Sequence, residues 1–133
     1  MSEAVILLVD DEKTILDSLR MQLRNLFGRR FDYEAAENAE EAWEVIDELH
    51  EEDVRIVVIV SDWLMPGTRG DEFLVRVCKT HPAIGRIMLT GQAPPDAIER
   101  VQTNACVTRV LHKPWTADQL AGAIEDVIQS ATG

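Results

Sequence analysis

The stretch V5-I-L-L-V-D-D-E-K13 decides how the rest of the chain is read. Five apolar residues, Val5 to Val9, run straight into two adjacent carboxylates, Asp10 and Asp11. An apolar run of this length reads as a buried strand, and an unpaired charge at its end is costly in a low-dielectric site. Something must compensate the pair.

Working outward, two periods alternate along the chain. After the first strand, Ile15, Leu16, Leu19, Leu23, Leu26 and Phe27 recur at helical spacing until Gly28, a natural stop. "FDYEAA" (31–36) alternates as a short strand, and Ala39, Ala42, Trp43, Ile46 and Leu49 share a second helical face. "RIVVIVSD" (55–62) is a β-branched third strand. A loop with Pro66, Gly67 and Gly70 leads to a third helix on Phe73, Leu74, Val77 and Cys78. "IGRIMLTG" (84–91) is a fourth strand weakened by Gly85, and Ala97, Ile98 and Val101 mark a short helix after Pro94 and Pro95. "VTRVLHK" (107–113) is the fifth strand, and Leu120, Ile124, Val127 and Ile128 form a last helix with Thr116 as its N-cap.

Five strands alternating with five helices imply right-handed βαβ units and a mainly parallel sheet covered on both faces. At 133 residues the chain is one domain, 1–133, with no internal repeat, low-complexity tract or linker. Cys78 and Cys106 form no CxxC and fit buried thiols in a reducing compartment. The N-terminus has no basic leader and its apolar run is too short for export or membrane spanning, so the expected location is the cytoplasm. A net charge of −11 argues against direct binding to nucleic acid or anionic membrane.

Sites in open parallel sheets form at the carboxyl ends of the strands. Those ends carry Asp10 and Asp11, Ser61 and Asp62, Thr90, and Lys113. Three carboxylates brought together repel unless a hard cation neutralises them, and Mg²⁺ is the expected one because it takes oxygen ligands and few carboxylates. Asp62 is then the candidate nucleophile for an acyl phosphate, with Lys113 and the Thr90 hydroxyl as donors to the phosphoryl oxygens.

"VDDE" (9–12), "SDWLMPG" (61–67), "LTG" (89–91) and "HKPW" (112–115), in this order and at these separations, resemble the receiver domain of bacterial two-component response regulators. The resemblance covers essentially the whole chain. It implies a (βα)5 flavodoxin-like, doubly wound fold with strand order 2-1-3-4-5. It further implies that Asp62 accepts phosphate from a histidine kinase or histidine phosphotransfer protein. Mg²⁺ would be held directly by Asp11 and Asp62, by Asp10 largely through water, and by the main-chain carbonyl of Leu64. Lys113 would pair with the phosphoryl group, Thr90 would swing toward it, and the Lys113–Pro114 bond would be cis. Such a domain is a signalling phosphoacceptor, with self-catalysed phosphorylation and dephosphorylation, more than a metabolic enzyme. Its state would be read by an output domain or protein, and homodimerisation is common in the family.

One departure stands out. The family usually has Tyr or Phe three residues before the lysine, where this chain has Val110. That substitution lends some weight to a competing reading, a phosphorylation-independent scaffold. A small-molecule phosphatase would want a second acid two residues after the nucleophile, where Leu64 stands. Trp43 and Trp115 read as packing residues, while Trp63 either lines the site or covers a loop. His112 reads as structural, His50 and His81 sit at helix ends, and the acidic run 37–53 is most simply a solvated helix face.

Overall fold

A computed structural model describes residues 4–63, 67, 69–91, 95, 96, 98, 99 and 109–132. The elements are β1 (Ala4–Val9), α1 (Lys13–Phe27), a 3-10 turn (Gly28–Arg30), β2 (Asp32–Ala36), α2 (Ala39–Glu51), β3 (Arg55–Asp62), α3 (Gly70–Thr80), β4 (Gly85–Thr90), β5 (Arg109–His112) and α4 (Ala117–Thr132). All four strand pairings are parallel, and the sheet order is β2-β1-β3-β4-β5. The strand order is the one the resemblance implies. The expected helix on Ala97, Ile98 and Val101 falls mostly outside the described residues, although Pro95, Asp96, Ile98 and Glu99 are helical.

Alternation along β1 builds the two layers. Val5, Leu7 and Val9 pack with Ala39, Ala42 and Ile46 of α2 and with Phe73, Leu74 and Val77 of α3. Ile6 and Leu8 pack on the other face with Leu16, Leu19 and Leu23 of α1 and with Leu120, Ala123, Ile124 and Val127 of α4. Each fully buried side chain of this kind contributes roughly 1.5–3 kcal/mol of transfer free energy, so two such layers dominate the stability. The third strand departs from simple alternation: the β1–β3 register shifts between Val5 and Ile6, and Val57 and Val58 both join the α1/α4 layer.

The helix signals hold with one refinement, at Leu26. Gly28 stops α1 at φ +59°, a conformation glycine adopts without strain. Leu26, expected on the core face, is instead exposed, because the helix ends within a residue of it and Phe27 takes the inward position, edge-on to Phe31. Thr116 caps α4 as expected: its Oγ1 accepts the Gln119 N–H at 3.1 Å, and Gln119 Oε1 accepts the Thr116 N–H at 2.9 Å. This reciprocal pair satisfies two donors that the first turn would otherwise leave open.

Gly85, read as a weak point of the fourth strand, has a packing role. A Cβ there would lie 2.0 Å from Val127 Cγ1 and 3.1 Å from the Val57 carbonyl oxygen, so glycine lets α4 lie close on the sheet. The acidic residues Glu40, Glu41, Glu44, Asp47, Glu48 and Glu51 of α2 are exposed, as expected for a solvated face. His112 is exposed rather than part of the core, since it ends the edge strand β5. His50 and His81, distant in sequence, lie edge to face at 5.7 Å. Cys78 is a half-buried free thiol, and Cys106 lies outside the described residues. Among the described residues no helix is long and apolar enough to cross a membrane.

Candidate functional site

The parallel register carries the strand ends to one edge and pins them there. Beyond β1, the Asp10 N–H donates to the Ala36 carbonyl at 3.1 Å; beyond β3, Trp63 N–H donates to Leu89 O at 2.9 Å; beyond β5, Lys113 N–H donates to Thr90 O at 2.8 Å. The ladder thus runs one residue past these three strands, and the chemistry-bearing side chains there stand on fixed backbone. The loop after Asp62 closes back through the Gly70 N–H, which donates to the Trp63 carbonyl at 2.7 Å. Gly70 is essential to that closure, because a Cβ would sit 1.9 Å from the main-chain oxygen of Asp62. In sequence it was only a loop residue; the approach that requires it is tertiary.

Asp10, Asp11 and Asp62 come together as expected, each offering an oxygen within 4.8 Å of the others'. Their surroundings differ. Asp10 is fully buried and Asp62 nearly so, whereas Asp11 is exposed. Asp10 Oδ1 accepts the Glu12 N–H at 2.8 Å, while its Oδ2 is buried with no hydrogen-bond donor among the described residues. Lys113 Nζ lies 3.1 Å from Asp62 Oδ1 and 3.6 Å from Asp10 Oδ2, bridging the two buried carboxylates. Thr90 is buried at the end of β4. Asp11, Glu12, Asp62, Trp63, Thr90, Gly91 and Lys113 line one cleft of about 320 Å³. The Lys113–Pro114 peptide bond is cis. Leu64, whose carbonyl the resemblance assigns to the metal, lies outside the described residues.

Electrostatics follow from this packing. Desolvation raises the Asp10 carboxyl to about 6; the negative charges of Asp62 and Asp11 add to the rise, and the Glu12 N–H and Lys113 oppose it. Asp62 is also raised by burial, against the hydrogen bond and charge of Lys113. Lys113 is raised overall: burial works against its charged form, but Asp10 and then Asp62 outweigh it. One ammonium cannot neutralise three carboxylates, and Asp10 Oδ2, although 3.6 Å from the Lys113 ammonium, accepts no hydrogen bond among the described residues. A hard divalent cation fits this donor set.

Glu12 of the cleft was not singled out in sequence. Glu12 lies on its wall, and its main chain fixes the Asp10 carboxylate. Trp63, left open between two roles, does line the cleft. A larger groove of about 910 Å³, bordered by Arg24, Arg29, Tyr33 and Glu52, lies at the opposite end of the sheet from the carboxylates.

Comparison with known proteins agrees with this geometry. Residues 6–125 match the family model described as the response regulator receiver domain. The chain is 34% identical over 127 residues to the sensor kinase CckA of Brucella abortus (strain 2308), covering 95% of this chain and 13% of that protein. It is 30% identical over 128 residues to the hydrogenase transcriptional regulatory protein HoxA of Cupriavidus necator, covering 96% of this chain and 25% of that one. The chain therefore spans a quarter or less of the length of these relatives. Among solved structures, a response regulator receiver domain protein from Clostridium thermocellum superposes with a TM-score of 0.82 at 28% identity, covering 97% of each chain. On the family match, the shared sheet order and the convergent strand ends, the chain belongs to the response regulator receiver domain family of two-component signalling.

Proposed function

We propose that Asp62 is the phosphoacceptor of this receiver and that Lys113 and Thr90 serve the transfer. A phosphohistidine on a histidine kinase or histidine phosphotransfer protein would be the donor. Asp62 Oδ attacks phosphorus, the O–P bond forms as the N–P bond breaks, and the released imidazole takes up a proton. Lys113 is already paired with the attacking carboxylate and would follow its charge onto the phosphoryl oxygens, while the Thr90 hydroxyl donates a further hydrogen bond. Asp10, Asp11 and Asp62, with the Leu64 carbonyl, would hold Mg²⁺, Asp10 largely through water. Bound there, Mg²⁺ would neutralise the triad and the incoming phosphoryl charge.

The single observation carrying this reading is the Asp62–Lys113 pair at 3.1 Å inside a carboxylate triad whose buried Asp10 Oδ2 has no hydrogen bond among the described residues. A scaffold indifferent to phosphorylation would have no use for that costly arrangement. We take residues 1–133 as one receiver domain working in the cytoplasm, catalysing its own phosphorylation and dephosphorylation and passing its state to an output domain or protein. The names of its relatives, a sensor kinase and a transcriptional regulator, support kinase and output partners of that kind. Self-association on phosphorylation is part of the same reading.

Intact mass after incubation with acetyl phosphate tests it, using wild type and Asp62→Asn with and without Mg²⁺. The expected result is one phosphoryl adduct that requires both Asp62 and Mg²⁺. An adduct on Asp62→Asn, or none on wild type with this donor, kinases and beryllofluoride alike, would overturn the assignment.

A further inference from the structure

His50 and His81 are far apart in sequence and form no metal-binding spacing there, yet the fold brings them together. His50 lies in the last turn of α2, His81 is the residue that ends α3, and their rings meet at 5.7 Å between centroids. Both line a pocket of about 330 Å³ beside the first residues of β3 and β4, at the other end of those strands from Asp62 and Thr90. Their ring contacts are with each other and, for His81, with Trp43 at 6.3 Å. Neither imidazole has a hydrogen bond or ion pair among the described residues, so their nitrogens are uncommitted. His50 is exposed and His81 half-buried, which leaves the pair open to solvent.

A neutral imidazole offers one nitrogen lone pair, and two of them on separate elements can chelate one ion. A metal bound at about 2.1 Å to one nitrogen of each ring stands about 3.2 Å from each ring centre, which sets two such rings about 5–6 Å apart. The observed separation falls in that range. The rings lie edge to face, at 69°, so one must turn to bring both lone pairs to a common point. The exposed His50 can do so, because χ2 of histidine is a broad torsion and its ring holds no hydrogen bond. Asp53 and Arg55 border the same pocket with opposite charges, so nothing there draws a hard cation in the way the carboxylate triad does. Imidazole selects a transition-metal ion instead. We propose that His50 and His81 form a second metal site, for a nitrogen-preferring dication such as Zn²⁺ or Ni²⁺. Among the described residues only the carboxylate triad brings three ligand atoms within 4.8 Å of one another, so the chain supplies two ligands here and water the rest. Bound there, the ion ties the carboxyl-terminal ends of α2 and α3 together.

The test is a Zn²⁺ titration of the intact chain by calorimetry in saturating Mg²⁺, with histidine side-chain nitrogen spectra at each step, on wild type, His50→Gln and His81→Gln. The expected result is one Zn²⁺ per chain that moves the His50 and His81 imidazole signals together while that of His112 stays in place. Either variant should bind about a hundred-fold more weakly, because each loses the gain from joining two ligands on one scaffold. Binding as tight in both variants as in wild type would place the Zn²⁺ elsewhere and overturn the proposal. So would His50 and His81 signals that move independently, or wild-type binding no tighter than that of a single imidazole.

Discussion

Asp10 is the residue at which the opening apolar run meets its cost. Its carboxyl rises from 3.8 to about 6, chiefly through desolvation. Between those values the native state holds more protons on this group than the unfolded state, so its contribution to stability falls as pH rises through the window and is flat above it. In chelator, Asp10→Asn should therefore be more stable than wild type, with the gap opening from about pH 4 to pH 6 and reaching on the order of 2 kcal/mol. The Glu12 N–H keeps an acceptor in the variant, since an amide oxygen can replace Oδ1. In excess Mg²⁺ the order should reverse, because the wild-type carboxylate then contributes to holding the cation. Urea unfolding at several pH values reads both effects, and a gap independent of pH in chelator would refute the linkage. The sequence announced that this pair needed compensation; it could not tell that Asp10 is buried and Asp11 exposed, because adjacent residues share one context until the chain folds.

At the scale of elements, local signals were legible and contacts between elements were not. Thr116 was readable as a cap because capping chemistry is local, and its reciprocal bond with Gln119 makes Thr116→Ala worth about 1 kcal/mol of stability. Gln119→Ala should cost less, and the double variant less than the sum, because each single change already breaks the pair. Gly85 illustrates the other case. Its strand period was visible, but the approach of Val127 belongs to the packing of α4 on β4. Gly85→Ala should cost about 1–3 kcal/mol through overpacking. Adding Val127→Ala should recover part of that loss by removing the clashing methyl group, with thermal unfolding of the four chains closing the cycle. Recovery of nothing would place the strain at the Val57 carbonyl instead. The inward pair Val57 and Val58 was hidden for the same reason, since a register shift between strands leaves no mark on the period of either.

Across the whole molecule, the site was legible because parallel topology turns scattered strand ends into neighbours. Asp10, Asp62, Thr90 and Lys113 are distant in sequence and stand at one sheet edge. What remained hidden is that Lys113 occupies the electrostatic place of the cation, 3.1 Å from Asp62 and 3.6 Å from Asp10. An ammonium and a divalent ion at the same carboxylates repel each other, so each weakens the other's binding by the same free energy. Replacing the ammonium by an apolar chain of similar length, Lys113→Met, should lower the metal-free stability, since buried carboxylates lose their partner. The same change should raise Mg²⁺ affinity, on the order of ten-fold for a unit charge a few ångströms away in a partly solvated site. A ligand that binds only the native state stabilises it by an amount set by its concentration relative to its dissociation constant. The thermal midpoint of Lys113→Met should thus start below that of wild type in chelator and respond at lower Mg²⁺ concentration, even as acyl phosphate formation declines. Unchanged or weaker Mg²⁺ response in this variant would mean that the cation sits beyond the reach of the Lys113 charge, and that the three carboxylates do not form one shared centre.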